Sequence, residues 1–202
     1  MKKWAVLISS VLLSSSVFSH ELTEATPLQY DYAYGSVSSG TYRSNSTDSD
    51  NASAVIIGLN HKFEGSDLLW STDYGSRFVH PNNVTIDHYM LRVGLGYRWL
   101  LADKLDLVTN GKVGALRIDA GNKETDFVYS VDLGLRYAVT EKFETSLFAE
   151  ALRNKWLDEN IYTLSGDYYV YPKFSLGGFY SYRDGERGTS IREAGILAKF
   201  NY

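Results

Sequence analysis

The chain contains no cysteine, so a disulfide scaffold and a thiolate metal centre are both excluded. Proline is scarce, 3 residues in 202, and no Pro-rich linker divides the sequence. No apolar run is long enough to cross a bilayer as a helix. Basic charge is not in excess either: 20 Lys and Arg stand against 24 Asp and Glu, a formal net charge of -4. That balance argues against a nucleic-acid partner. What the chain does contain is apolar and aromatic residues at globular levels, 44% and 14%, which excludes low complexity and disorder. Among the aromatics 16 are Tyr, apolar in the body and polar at the tip.

The first segment is an address. Lys2 and Lys3 precede an apolar stretch from Trp4 to Leu13, and Val17 and Ser19 are small enough to flank a cleavage site. Residues 1–19 are therefore read as a secretory signal peptide, 20–27 as a short periplasmic N-terminal segment, and 28–202 as one β-barrel.

Beyond residue 27 the dominant period is two, the mark of strands with one apolar face. Tyr89, Leu91, Val93, Leu95, Tyr97 and Trp99 alternate with His88, Met90, Arg92, Gly94, Gly96 and Arg98. The pattern predicts strands near 28–37, 53–63, 68–78, 88–99, 105–117, 126–138, 143–153, 161–171, 174–183 and 190–202. Their length suits a tilted membrane-crossing strand, which needs about 9–11 residues. Connections alternate between short (64–67, 100–104, 139–142, 172–173) and mostly longer, more polar ones (38–52, 79–87, 118–125, 154–160, 184–189). This is the rhythm of an all-β, up-and-down antiparallel transmembrane barrel, with ten strands and eight as the alternative.

Period two alone does not say which face points inward. Gly35, Gly58, Gly75, Gly94, Gly96, Gly114, Gly134, Gly177 and Gly195 fall on the polar face. Small residues suit the concave side of a narrow barrel, so the polar face is read as the lumen. On the apolar face, Phe63, Trp70, Trp99, Phe143, Phe174, Phe200 and Tyr202 gather at the short-turn end, and Tyr34, Phe78, Tyr89, Phe127 and Tyr182 at the loop end. Two such belts match the aromatic girdles of the membrane interfaces.

With those residues in view, residues 87–120 and 126–153 in particular, the chain resembles the small, ten-strand, porin-like outer-membrane β-barrel proteins of Gram-negative bacteria. The resemblance implies a location in the cell outer membrane, contact with its lipid and lipopolysaccharide, and no cofactor. The alternating end, Ala194, Ile196, Ala198, Phe200 and Tyr202, resembles the signal read by the barrel-insertion machinery, although family members often end in Phe rather than Tyr. The motif class specifies architecture far better than activity.

The same phase predicts an inward charge network of Asp31, Asp73, Asp106, Asp126, Asp132, Glu144, Glu150, Asp167 and Glu193 with Lys62, Arg77, Arg92, Arg98, Lys112, Arg136, Arg183 and Lys199. Near-balance implies cross-strand pairing rather than the single-sign ring of a selective pore. The reading is a structural or porin-like barrel with little or narrow solute passage. A surface binding barrel acting through its loops and a barrel hydrolase stand as alternatives. A hydrolase needs a His-activated nucleophile, and of His61, His80 and His88 only His88 points inward, toward Asp126 or Asp73; its expected role is structural, and the chain is read as a non-enzyme. The ten-strand omptin proteases are similar in strand number, but their chains are much longer. The loop acids and amides Asn45, Asp48, Asp50 and Asn51 lack the Gly and distant Glu of a calcium loop. Trp156 is left as a large aromatic in a loop, either an anchor for a partner or packed beneath its own loop.

Overall fold

The computed structural model describes residues 28–44, 47–80 and 85–202. Residues 1–27, with the expected signal peptide and periplasmic segment, lie outside that range. Ten strands follow one another: β1 (Tyr32–Ser44), β2 (Thr47–Lys62), β3 (Leu68–Val79), β4 (Ile86–Ala102), β5 (Leu105–Asp119), β6 (Lys123–Thr140), β7 (Phe143–Arg153), β8 (Asp158–Tyr171), β9 (Phe174–Gly185) and β10 (Ser190–Asn201). Each pairs antiparallel with its neighbours, and β1 pairs with β10 to close the barrel. Closure removes the unpaired edges that an open sheet would expose.

Three of the four short turns share one design. Asp103-Lys104, Glu141-Lys142 and Pro172-Lys173 connect strands whose register shifts by one residue just before the turn, at Leu100/Ala102, Ala138/Thr140 and Tyr169/Tyr171. In each, the Lys carbonyl accepts a hydrogen bond from the next strand over: Ala138 N at 2.9 Å, Tyr169 N at 2.8 Å and Asn201 N at 2.8 Å. A bulge beside a tight turn matches the twist of the strands it joins.

The opposite end differs from expectation. Residues 38–44 and 47–52 are strand rather than loop: β1 and β2 stay paired out to Ser44↔Thr47. β5 and β6 likewise pair to Asp119↔Lys123 around Gly121, whose φ of 95° suits a residue without a side chain. β6, with 18 residues, is about 60 Å along its length, more than the apolar band needs. Hairpins therefore project beyond the band at this end, where alternation had been masked by polar composition.

The barrel is apolar outside and polar inside. Leu95 is 66% exposed, Val131 62% and Ile196 68%, whereas Asp106 and Asp167 are 0% exposed. The first strand requires a correction. Residues 28–31 are not in it, and its phase is inverted: Tyr34 pairs with Gly58 and Lys199 on the inner face, while Gly35 pairs with Ile57 and Ala198 on the outer one. Tyr34 reads as a lipid-facing aromatic, but its inward placement fills space left by glycine. A Cβ on Gly58 would stand 2.5 Å from the Tyr34 ring. The same packing sets Phe148 against Gly134 and Phe179 against Gly195.

Candidate functional site

The lumen is a stack of charge layers. Nearest the short turns, Arg98 Nε lies 2.8 Å from Asp106, Arg136 Nε 2.7 Å from Glu144, and Lys199 Nζ 2.7 Å from Asp167. Tyr169 O–H also donates to Glu144. Halfway up, Arg92 grips Asp73 with Nε at 2.9 Å and Nη2 at 3.2 Å, and its Nη1 reaches across to Glu150 on β7 and to Ser130. Lys112 Nζ stands 3.4 Å from Asp73 and 3.5 Å from Asp132, and Asn110 donates to Asp132. Toward the loop end, Glu193 receives Arg77 at 2.9 Å and Arg183 at 3.4 Å, Ser38 donates to its second oxygen, and Arg183 also holds Glu159 at 2.8 Å. The guanidinium fork suits this task, because one Arg can satisfy carboxylates on different strands.

Fourteen of the expected inward charges join these layers. Three do not. Asp31 precedes β1 and sits at the short-turn rim, 2.7 Å from His61 Nδ1 and accepting from Lys62 N. Lys62 faces inward at that rim without an ion pair among the described residues. Asp126 accepts from the Phe127 N–H at the opposite rim. Glu159 was missed, because residues 154–160 read as loop whereas β8 begins at Asp158.

A second missed feature is the plug. Residues 28–31 turn into the barrel mouth, where Leu28 and Tyr30 pack with Leu69, Val108, Ala138 and Phe148. The Tyr30 ring lies between two guanidiniums, Arg136 at 4.3 Å and Arg98 at 5.4 Å from its centroid, and its O–H donates to Asp106 at 2.7 Å. Asn60 and Arg136 tie down the Tyr30 and Gln29 carbonyls. The period of two runs back over this segment, yet the strand begins only at Tyr32; the Asp31 carbonyl accepts from Tyr202 N, and the residues before it leave the ladder.

His88 faces inward beside Arg77, Glu159 and Arg183. Asp73 is engaged by Arg92 and Lys112, so the suggested His88 dyads with Asp73 or Asp126 are not formed. Of the loop acids and amides, Asp48, Asp50 and Asn51 belong to β2, and Asn45 lies outside the described residues. Trp156 lines a cleft at the loop end, its N–H held by Asn154 Oδ1 at 3.0 Å. On the outer surface Phe63, Trp70, Trp99, Phe143, Phe174, Phe200 and Tyr202 all face outward at the short-turn end, as do Phe78, Tyr89, Phe127 and Tyr182 toward the loops; Tyr34 does not.

No protein-family model matches the chain, and no curated protein does. Solved structures do. The β domain of the Bordetella autotransporter BrkA superposes with a TM-score of 0.51 at 12% identity, covering 86% of this chain and 100% of that one. NanC porin gives 0.48 at 16% identity, with 83% and 100% covered. Neisserial surface protein A gives 0.47 at 13%, with 85% and 96% covered. At such identities the likeness is one of fold. Together with the closed sheet, the apolar exterior and the charged interior, it makes the chain a transmembrane β-barrel of the outer-membrane type.

Proposed function

We propose that this chain is a non-enzymatic, structural barrel of the outer membrane whose lumen is sealed by paired charge and passes little or no solute. The observation that carries this reading is Arg92, which joins Asp73 on β3 to Glu150 on β7 and so spans the bore. Layers above and below it, and the Tyr30 plug, support the same reading. A single-sign ring, the usual basis of ion selectivity, has no counterpart among the described residues: cations and carboxylates alternate in every layer. The outward aromatics serve as interfacial girdles against lipid and lipopolysaccharide, and outward-facing Phe200 and Tyr202 are the residues offered to the insertion machinery.

Conductance of the refolded protein in planar bilayers tests the proposal. The parent should show no large steady current. Replacing Arg92, Arg98 and Arg136 together by Ala takes the guanidinium partner from Asp73, Glu150, Asp106 and Glu144, leaves the lumen with an excess of carboxylates, and should open a cation-preferring leak. A large, steady, selective conductance in the parent would make it a true porin instead. A surface-binding role is the second reading, favoured by the cleft that Trp156 lines.

A further inference from the structure

At the loop end the strands of the sheet stop at different heights. β6 pairs with β5 out to Lys123, but its outermost partner on β7 is Arg153, opposite Tyr129. Residues 123–128 therefore overhang β7 as a strand edge about 20 Å long. One hydrogen bond fixes where the backbone groups of this edge point. Ala138 N donates to the Lys104 carbonyl on the β5 side, and the β5–β6 register runs without a shift from Tyr137 to Lys123. Even-numbered residues of β6 thus aim N–H and C=O at β5, and odd-numbered ones aim theirs at β7. In the overhang the odd-numbered residues are Phe127, Thr125 and Lys123. Side chains stand in for the missing strand at the first: Phe127 N donates to Asp126 Oδ1, and its carbonyl accepts from Asn154 Nδ2. The backbone groups that Thr125 and Lys123 aim past β7 have no partner among the described residues, and both residues are exposed.

From this geometry we propose that the overhanging edge of β6 takes up an extended, basic peptide segment of a partner protein as an added strand. A row of unpaired backbone donors and acceptors is a template for strand addition. Charge selects the occupant. By the phase that buries Val128, the inward side chains of the overhang are Glu124 and Asp126, and neither has an ion pair among the described residues. The acid excess continues into the adjoining cleft, where Asp158, Glu159 and Glu186 stand against Lys155 and Arg183. An added antiparallel strand sets alternate side chains beside Glu124 and Asp126, where Lys or Arg is attracted and Asp or Glu repelled. Its other face meets Thr125 and the exposed Phe127 ring, which suit a β-branched residue. A second copy of the chain is the poorer occupant. A twofold axis through Thr125 would bring Glu124 opposite Asp126, like charge against like.

The proposal gives the surface-binding reading an edge and an occupant, and it does not depend on whether the lumen conducts. The test titrates the refolded protein, in a detergent without net charge and at low ionic strength, with an end-capped, fluorophore-tagged heptapeptide of alternating Val and Lys. Anisotropy should show saturable binding, and the same peptide with Glu in place of Lys should bind at least about tenfold more weakly. N-methylation separates strand addition from simple charge attraction. With the Lys side chains inward, the Val N–H groups face β6 and the Lys N–H groups face away. Methylation at the Val positions should abolish binding, and at the Lys positions should leave it within about twofold. Thr125→Pro removes an N–H that the β5 ladder does not use, so heat-modifiable gel mobility should be unchanged while affinity falls about tenfold. Glu124→Lys should weaken the Lys peptide by a similar factor. No saturable binding, equal binding of the Glu peptide, or equal effects of the two methylations would overturn the proposal. An affinity undiminished in Thr125→Pro would overturn it too, and a loss in Trp156→Ala instead would make the cleft alone the binding surface.

Discussion

At Gly114 a Cβ would stand 1.9 Å from the Leu91 carbonyl oxygen, an atom of the backbone that cannot step aside. Gly111, three residues earlier on β5, faces outward with no atom of the described residues within 4 Å of its would-be Cβ. Gly114→Ala should therefore destabilise the barrel by about 1–3 kcal/mol, and Gly111→Ala should be neutral or mildly stabilising. Urea midpoints followed by heat-modifiable gel mobility would separate the two; equal tolerance would mean that the inner space is looser than its contacts indicate. Leu95→Arg places a charge on the lipid face and should cost about 2–4 kcal/mol near mid-membrane. Its inward neighbour is not a lenient control, although the sequence suggests one. A Cβ at Gly94 meets Lys112 Cγ at 2.6 Å and the Gly111 carbonyl at 2.8 Å, so Gly94→Ser should also lower the urea midpoint.

Among the elements, the segment before β1 departs furthest from its sequence reading. Tyr30, Tyr32 and Tyr34 alternate like an outward aromatic face, and the outward residues Ala33, Gly35 and Val37 are small. Pairing decides otherwise: Val37 lies between Val55 and Ile196, both outward, and that register turns the tyrosines inside. Tyr30→Phe keeps the ring between Arg98 and Arg136 but removes the hydrogen bond to Asp106. It should lower stability by about 1–3 kcal/mol while leaving the bilayer silent. Tyr30→Ala also removes the ring and should admit brief, small current steps. Parent-like silence in Tyr30→Ala would mean that the charge layers seal the bore without the plug.

For the whole molecule, the short turns gather at one end and the projecting hairpins at the other, with residues 28–31 at the short-turn end. In the outer-membrane type of barrel the short turns face the periplasm. A single Cys at Asn122 should react with a membrane-impermeant maleimide on intact cells, and one at Ser66 only after the outer membrane is opened. Labelling at Ser66 but not at Asn122 would invert the assignment. Position 46, another candidate for the exterior, lies outside the described residues. Because the ion pairs are buried within the barrel, salt should screen them weakly, and the urea midpoint should move little between low and high ionic strength. A steep loss with salt would place those pairs in contact with bulk water.

The period of two, the rhythm of turns and the placement of glycine already determined a ten-strand barrel, its inside and outside, and fourteen of the charges that face one another within it. Those features are local: each strand carries its own alternation, and membrane and lumen demand opposite residue types. What only the tertiary structure decided has a common cause, namely contacts between residues far apart in sequence. The phase of β1 depends on β2 and β10, because both of its faces carry residues of ambiguous character. The Tyr30 plug depends on Arg98, Asp106 and Arg136 from three other strands. The length of the hairpins depends on backbone pairing that polar side chains conceal. Glu193 on β10 takes one guanidinium nitrogen of Arg77 on β3 and leaves Nη1 without an acceptor among the described residues, a division that no spacing along the chain records.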